Sequence, residues 1–342
     1  MHCTLLVSDL LPSPEFGDEP YAGLRCPSLE TLLARGTTQR QPATTPENWL
    51  CDRFGVLQQL DRPLAALMLK ADGGTPAGDY WLCADPVQLR VDSNRLIVAA
   101  RCGDFTAQEA HEIIAALNLH FAQDSLEFYA PAPSRWYLRS TRIPRITTTP
   151  LARALNRSVK HHLPAGEDAL AWLRVVNEAQ MILHAHPVTA AREARGATPA
   201  NSIWLWGGGN LPPAPDSAFT AAWGGEQVVR ALACAANLTH CDLPPDAGAW
   251  RAGASGGHHL LVFDAPADAL RMNGGAAWRD QLTLLDKHWI KPLLRDVREN
   301  ILASIVLVAC NQAGLLETVL VRADSWRIWR RARPLAAYAG RP

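Results

Sequence analysis

Residues 71–78 hold three glycines and one proline within eight positions. No helix or strand runs through such a stretch without losing backbone hydrogen bonds or preferred dihedral angles. It interrupts a chain of 342 residues, which at about 150 residues per domain has room for two hydrophobic cores. Ahead of it, residues 3–7 form a short apolar run of the buried-strand type that ends at Ser8-Asp9. Residues 26–36 carry Pro27 at a helix start, leucines three and four apart, and Gly36 at the stop, the signature of a short amphipathic helix. A carboxylate placed just past a strand, as Asp9 is, stands where α/β folds keep their ligand chemistry.

Beyond the breakers the pattern changes. Residues 80–87 and 94–99 read as strands, and Thr106 with Glu109 forms a capping box opening a helix to about residue 121. A strand follows near 126–129. A second helix over about 166–184 is marked by Leu170, Leu173, Val176 and Leu183 and stops before Pro187. This is the pattern of a small α+β module. From Asn201 onward strand and helix signals alternate again to about residue 331, which argues for an α/β fold in the outer segments.

Charge narrows the partners. Lys and Arg number 33, as do Asp and Glu, so the net charge is zero, and no basic excess exists to neutralise nucleic acid or an anionic membrane. The first apolar run has no Lys or Arg ahead of it and is cut by Asp9, which is not a secretory signal, so a cytoplasmic protein is expected. The apolar run at 301–308 falls far short of the ~20 residues of a membrane span. Eight cysteines are scattered without a C-x-x-C pair and read as reduced thiols, and the twelve tryptophans are spread out as core residues are.

Few local motifs point to chemistry. Gly207-Gly208-Gly209 after a strand offers amides to a phosphate but lacks the dinucleotide-binding spacing and runs into Pro212-Pro213. The adjacent pairs His161-His162 and His258-His259 point apart on any regular element, and Ser255 is not in a nucleophile-elbow context. Arg135, Arg139, Arg142 and Arg145 form a basic cluster. It reads either as a solvated face or as a set of guanidinium forks for a small phosphorylated acid.

Several segments together resemble the archaeal-type cofactor-independent phosphoglycerate mutases, a branch of the alkaline phosphatase superfamily. They are the helix at 26–36, Gly78-Asp79-Tyr80-Trp81, Gly103-Asp104-Phe105-Thr106 with Glu109, and above all the segment from Pro199 through Asn201, Trp204 and Trp206 to Gly209. With Asn177-Glu178-Ala179-Gln180 and His184-Ala185-His186-Pro187 upstream, the chain looks most like the proteobacterial group labelled phosphoglycerate mutase or RpfE-type regulatory protein. The resemblance implies a doubly wound, phosphatase-like α/β core made of residues 1–74 and 196–342, with a smaller α+β substrate-type domain, 75–195, inserted. It also implies two divalent ions, Mn, Zn or Co, that activate a nucleophile for phosphoryl transfer between the hydroxyls of glycerate, and such ions need several Asp and His ligands.

Those ligands are largely missing. The first, an Asp after the first strand, maps to Asp9, followed by Leu10 rather than glycine. The next set falls on Ala267 and Arg271, with Asp264 and Asp268 available only through a register slip. A late Asp-His pair falls on Cys310-Asn311, and no histidine follows His288. Between Thr45 and Gly55 the only nucleophile-like pair is Cys51-Asp52. The expectation is therefore a degenerate metal site in a non-catalytic protein, a pseudoenzyme with no cofactor. It would bind a small phosphorylated metabolite through Arg135 and Arg139 beside the Asn201, Trp204 and Trp206 segment, or regulate a protein partner that the sequence does not identify. The alternative is an active mutase or phosphatase whose site is rebuilt from Asp9, Cys51, Asp264, Asp268 and Asp286, with a divalent metal.

Overall fold

A computed structural model describes residues 1–12, 17, 19–311 and 314–339, and the side chain of Asn311 lies outside the described ones. The chain folds as two units, Met1–Gly55 with Asp216–Pro342, and Val56–Pro215. Each unit has a hydrophobic core of its own.

The first unit begins with β1 (His2–Ser8), buried at every position but the first, as suits a central strand covered on both faces. In α1 (Pro27–Arg35) the proline sits where no helical amide bond is lost, and Leu29, Leu32 and Leu33 enter the core. β2 (Thr37–Gln41) is exposed throughout, the polar composition that keeps an edge strand from pairing with strangers. α2 (Pro46–Arg53) is capped by Thr45, whose hydroxyl accepts from the Asn48 amide.

The inserted unit starts with α3 (Leu64–Ala71), whose six buried residues pack on β3 (Tyr80–Asp92). β4 (Arg95–Arg101) and α4 (Ala107–His120) follow, and the Thr106–Glu109 capping box is present in both directions. Next come β5 (Leu126–Ala132), β6 (Arg135–Ser140), the small pair β7 (Ile146–Thr147) and β8 (Ala165–Gly166) around the short α5 (Leu151–Ala154), helices α6 (Ala169–Ala185) and α7 (Pro187–Ala194), and β9 (Ser202–Gly209). The sheet order is β4-β3-β6-β5, with β9 antiparallel to β3.

The chain then returns to the first unit through β10 (Ala221–Trp223), α8 (Gln227–Ala235), β11 (Thr239–Cys241), α9 (Ala247–Gly253) and β12 (His258–Phe263). α10 (Ala265–Leu285) runs through a π-turn at Asp286–Ile290 into α11 (Lys291–Arg298), and β13 (Ser304–Asn311), β14 (Gly314–Val321) and α12 (Arg322–Ser325) complete the order. The sheet reads β11-β10-β12-β1-β13-β14-β2. Its first five strands are parallel and the last two join antiparallel. Val7 lies level with Phe263 and Ser8 with Cys310, so β1, β12 and β13 end together.

An α/β core with an α+β insertion matches the sequence reading, but the junctions at 74/75 and 195/196 do not. They lie at 55/56 and 215/216. The breakers at 71–78 are a turn inside the inserted unit, because α3 packs on β3 and β9 rather than on the first sheet. Gly207-Gly208-Gly209 is likewise not a loop but the end of β9. Tyr80, Pro63 and Leu64 press so closely on these glycines that a Cβ has no room. Among the described residues no helix is long and apolar enough to cross a membrane.

Candidate functional site

Parallel strands deliver their carboxyl ends to one edge of a sheet, and ligands of α/β folds bind there. In the first unit that edge carries Ser8 and Asp9 beyond β1, Glu226 beyond β10, Asp264 beyond β12, and Cys310 in β13. Asp9 adopts φ 50°, a left-handed conformation that turns the chain immediately after the strand. Gly224, at φ 147°, brings the backbone so near β12 that a Cβ would stand 3.1 Å from the Val262 carbonyl. Only glycine takes that geometry without strain, and two residues later Glu226 precedes α8. Asp264 precedes α10 and accepts a 2.7 Å hydrogen bond from the Ser8 hydroxyl. Glu47, in the first turn of α2, is 5% exposed, and its Oε2 has no hydrogen-bond partner among the described residues. Glu47, Glu226 and Asp264 each stand at a helix N-terminus, whose dipole offsets part of their charge.

The offset is partial. Burial raises the Glu226 carboxyl well above its ordinary range, and the charges of Asp264, Glu47 and Asp268 raise it further against the pull of Arg271. Burial also pushes Asp264 up to about 6, aided by Asp268 and Glu47 and opposed by the Ser8 hydrogen bond and Arg271. Both carboxyls are thus harder to ionise than ordinary side chains. The Cys310 thiol is pushed up to about 12 by burial and by Glu47, Asp9 and Glu317, which leaves it a neutral thiol. The cation in this group is Arg271, 2.7 Å from Asp268 and 3.9 Å from Asp9.

A pair of divalent ions needs several anionic or imidazole donors converging within a few ångströms. Among the described residues no three His, Cys, Asp or Glu side chains converge in that way. Arg271 brings a fixed positive charge onto the carboxylates of Asp9 and Asp268. The residues present do not fit a two-metal centre.

Asp9, Asp264 and Asp268 are thus brought to one edge. Cys51 is fully buried in α2, four residues and so about one helical turn after Glu47. Asp286 serves elsewhere, accepting from the Ser28 and Leu29 amides at the start of α1. The late Asp-His position expected at Cys310-Asn311 lies in part outside the described side chains. Glu226 and Glu47 escaped the sequence reading, although the first follows a strand-ending Gly-Gly and the second a Thr-Pro helix start.

In the inserted unit the expected substrate residues have internal duties. Arg135 donates to Asp72 at 2.6 Å, and Arg139 binds Asp79 and Glu127, each at 2.8 Å. Their charges are answered by carboxylates, so they do not form an open anion pocket. The Asn201 amide bonds both the N–H and the C=O of Leu89, where the β3–β4 register slips. The indoles of Trp204 and Trp206 are buried and donate to the Thr149 carbonyl and to Asp85. These three residues close the backbone and core of the unit rather than face a substrate.

Comparison with known proteins separates sequence from fold. Residues 78–189, all inside the inserted unit, match the model of the 2,3-bisphosphoglycerate-independent phosphoglycerate mutase family. A probable 2,3-bisphosphoglycerate-independent phosphoglycerate mutase of Geobacter sulfurreducens is 34% identical over 112 residues, 32% of this chain and 28% of that protein. The corresponding mutase of Methanosarcina acetivorans is 28% identical over 201 residues, 55% of this chain and 49% of its own. The chain thus matches between about a quarter and a half of these relatives' lengths. In structure it is similar to the cofactor-independent phosphoglycerate mutase of Thermoplasma acidophilum, with a TM-score of 0.51 at 14% identity over 99% of this chain and 94% of that one. It is also similar to the PH0037 protein of Pyrococcus horikoshii, with a TM-score of 0.58 at 14% identity over 98% and 92%. The architecture is the alkaline-phosphatase-like α/β fold.

Proposed function

We propose that this protein is a member of the cofactor-independent phosphoglycerate mutase family that keeps the fold without the two-metal phosphoryl transfer, and that it works in the cytoplasm as a non-catalytic, phospho-metabolite-binding or regulatory protein of the RpfE type. The observation that carries the reading is Arg271 on Asp9 and Asp268 at the carboxyl edge of the sheet. A guanidinium keeps its charge at any physiological pH. Divalent ions entering the same carboxylates would have to displace it or stand against its repulsion.

The test is a coupled phosphoglycerate mutase assay on the purified protein with manganese, cobalt or zinc supplied in turn, and metal content measured on the same sample. The expected result is no turnover above that of Asp9→Ala and no stoichiometric metal. Turnover that vanishes in Asp9→Ala would overturn the proposal and favour an enzyme rebuilt on Asp9, Asp264, Glu226 and Glu47.

A further inference from the structure

We propose that the concave surface between α1 and α11 binds a small polyanion carrying two or more phosphoryl groups through Lys287, Lys291, Arg295 and Arg298. The cavity has a volume of about 650 Å³ and is lined by these four residues with Ser28 and Thr31. None of the carboxylates at the sheet edge lines it, and the proposal rests on these lining residues alone, whatever the mutase assay returns.

Charge accounting is the first argument. The chain as a whole is neutral, so four cations on one short stretch are a local concentration rather than the trend of a basic protein. Lys287 and Lys291, Lys291 and Arg295, and Arg295 and Arg298 are spaced four, four and three apart, where like charges on a helix repel. Their cancellation is partial, since Asp286 feels the charge of Lys291 and the carboxylates that reach Arg295 are distant ones. Among the described residues Lys287, Lys291 and Arg298 make no ion pair, and the carboxylates of Asp296 and Glu299 approach Arg295 only to 3.9 Å. Asp296 is itself held by Arg251 at 2.5 Å. Asp286, next to Lys291, is engaged with the Ser28 and Leu29 amides.

The second argument is that the positive surface continues past the cavity. Arg35, whose Nη1 donates to the Ser325 carbonyl, has a buried Nε without a partner and lies within reach of the charge of Arg298. Like charges that act on one another are a poor arrangement for an isolated protein and a good one for a bound anion.

The chemistry of the lining selects the ligand. Arginine forks match phosphoryl oxygens two at a time and lysines add point charges. A monoanion would answer one cation and leave the others repelling, whereas two phosphoryl groups answer all four.

The experiment is isothermal titration of the full chain with inorganic pyrophosphate at low ionic strength, compared with citrate. Binding of pyrophosphate is expected, weakened about tenfold or more by Lys291→Glu with Arg298→Glu, and changed less than about twofold by Arg90→Glu, an equal charge reversal per residue in the inserted unit. Lys291→Gln with Arg298→Gln, checked for an unchanged circular dichroism spectrum, is expected to fall between. No binding by the unmodified protein, equal binding by the charge-reversed variant, or citrate bound as tightly as pyrophosphate would each overturn the assignment.

Discussion

In the inserted unit Glu109 lies between two guanidiniums, Arg195 at 2.5 Å and Arg192 at 3.2 Å; at the edge of the first unit, Glu226 and Asp264 face further carboxylates and share the single guanidinium of Arg271. The hydrogen bond from Arg195 and the Thr106 amide hold Glu109 down to about 2 against burial, while burial and like charge drive Glu226 and Asp264 upward. Arg192 is fully buried, yet it binds the Thr198 and Asp104 carbonyls and the Asp104 side chain and covers the Phe105 ring at 4.0 Å. One region completes its charge pairs inside the fold, and the other leaves them incomplete. The first is a device for stability; its carboxylates, Asp104 and Glu109, fall within the segment that matches the family by sequence, and Arg192 and Arg195 follow just beyond it. The second stands where the fold places ligand chemistry.

Removing the buried cation should break the contrast most forcefully. Arg192→Met leaves Asp104, two carbonyls and part of Glu109 unanswered, and is expected to cost about 3 kcal/mol in urea unfolding. A cost below about 1 kcal/mol would mean that the network is ornamental.

The sheet edge should respond with the opposite sign. A carboxyl whose folded pKa is raised binds a proton that the unfolded chain releases, so stability falls as pH rises from the ordinary Asp value toward about 6 for Asp264, and further for Glu226. Asp264→Asn with Glu226→Gln is therefore expected to stabilise the first unit by about 2 kcal/mol at pH 8 and hardly at all at pH 4. Glu109 runs the other way: its depressed pKa contributes stability above the ordinary Glu range that is lost as pH falls toward about 2. Amide hydrogen exchange followed separately in the two units between pH 2 and 8 would read both slopes, that of Glu109 below about pH 4.5 and that of the sheet edge above about pH 4, and slopes of the same sign would sink the comparison.

The smallest effect belongs to an exposed pair. Arg145 and Glu167 form an ion pair with side chains 67% and 71% exposed, and Glu167→Ala is expected to change the melting free energy by less than about 0.5 kcal/mol.

Much of the scaffold could be read along the chain because its signals are local. The Pro27 start and Gly36 stop of α1, the Thr106–Glu109 box of α4 and the apolar run of β1 act within a few residues. The domain junctions were not legible, because whether the turn at 71–78 separates two units depends on where α3 packs. The arginines at 135 and 139 looked available in sequence for the same reason: Asp72, Asp79 and Glu127 reach them only through β-sheet pairing and the turns around it.

By itself the sequence determined an α/β chain with an inserted α+β module, a carboxylate after the first strand and the absence of any histidine after His288, since all of these are statements about residue type and short spacing. Only the tertiary structure decided that Glu47, Glu226, Asp264 and Arg271 meet at one sheet edge, and that four cations of α11 and the turn before it line one cavity. The first meeting brings Glu47 to Asp264 and Arg271, more than two hundred residues away, because charge acts through space rather than along the chain.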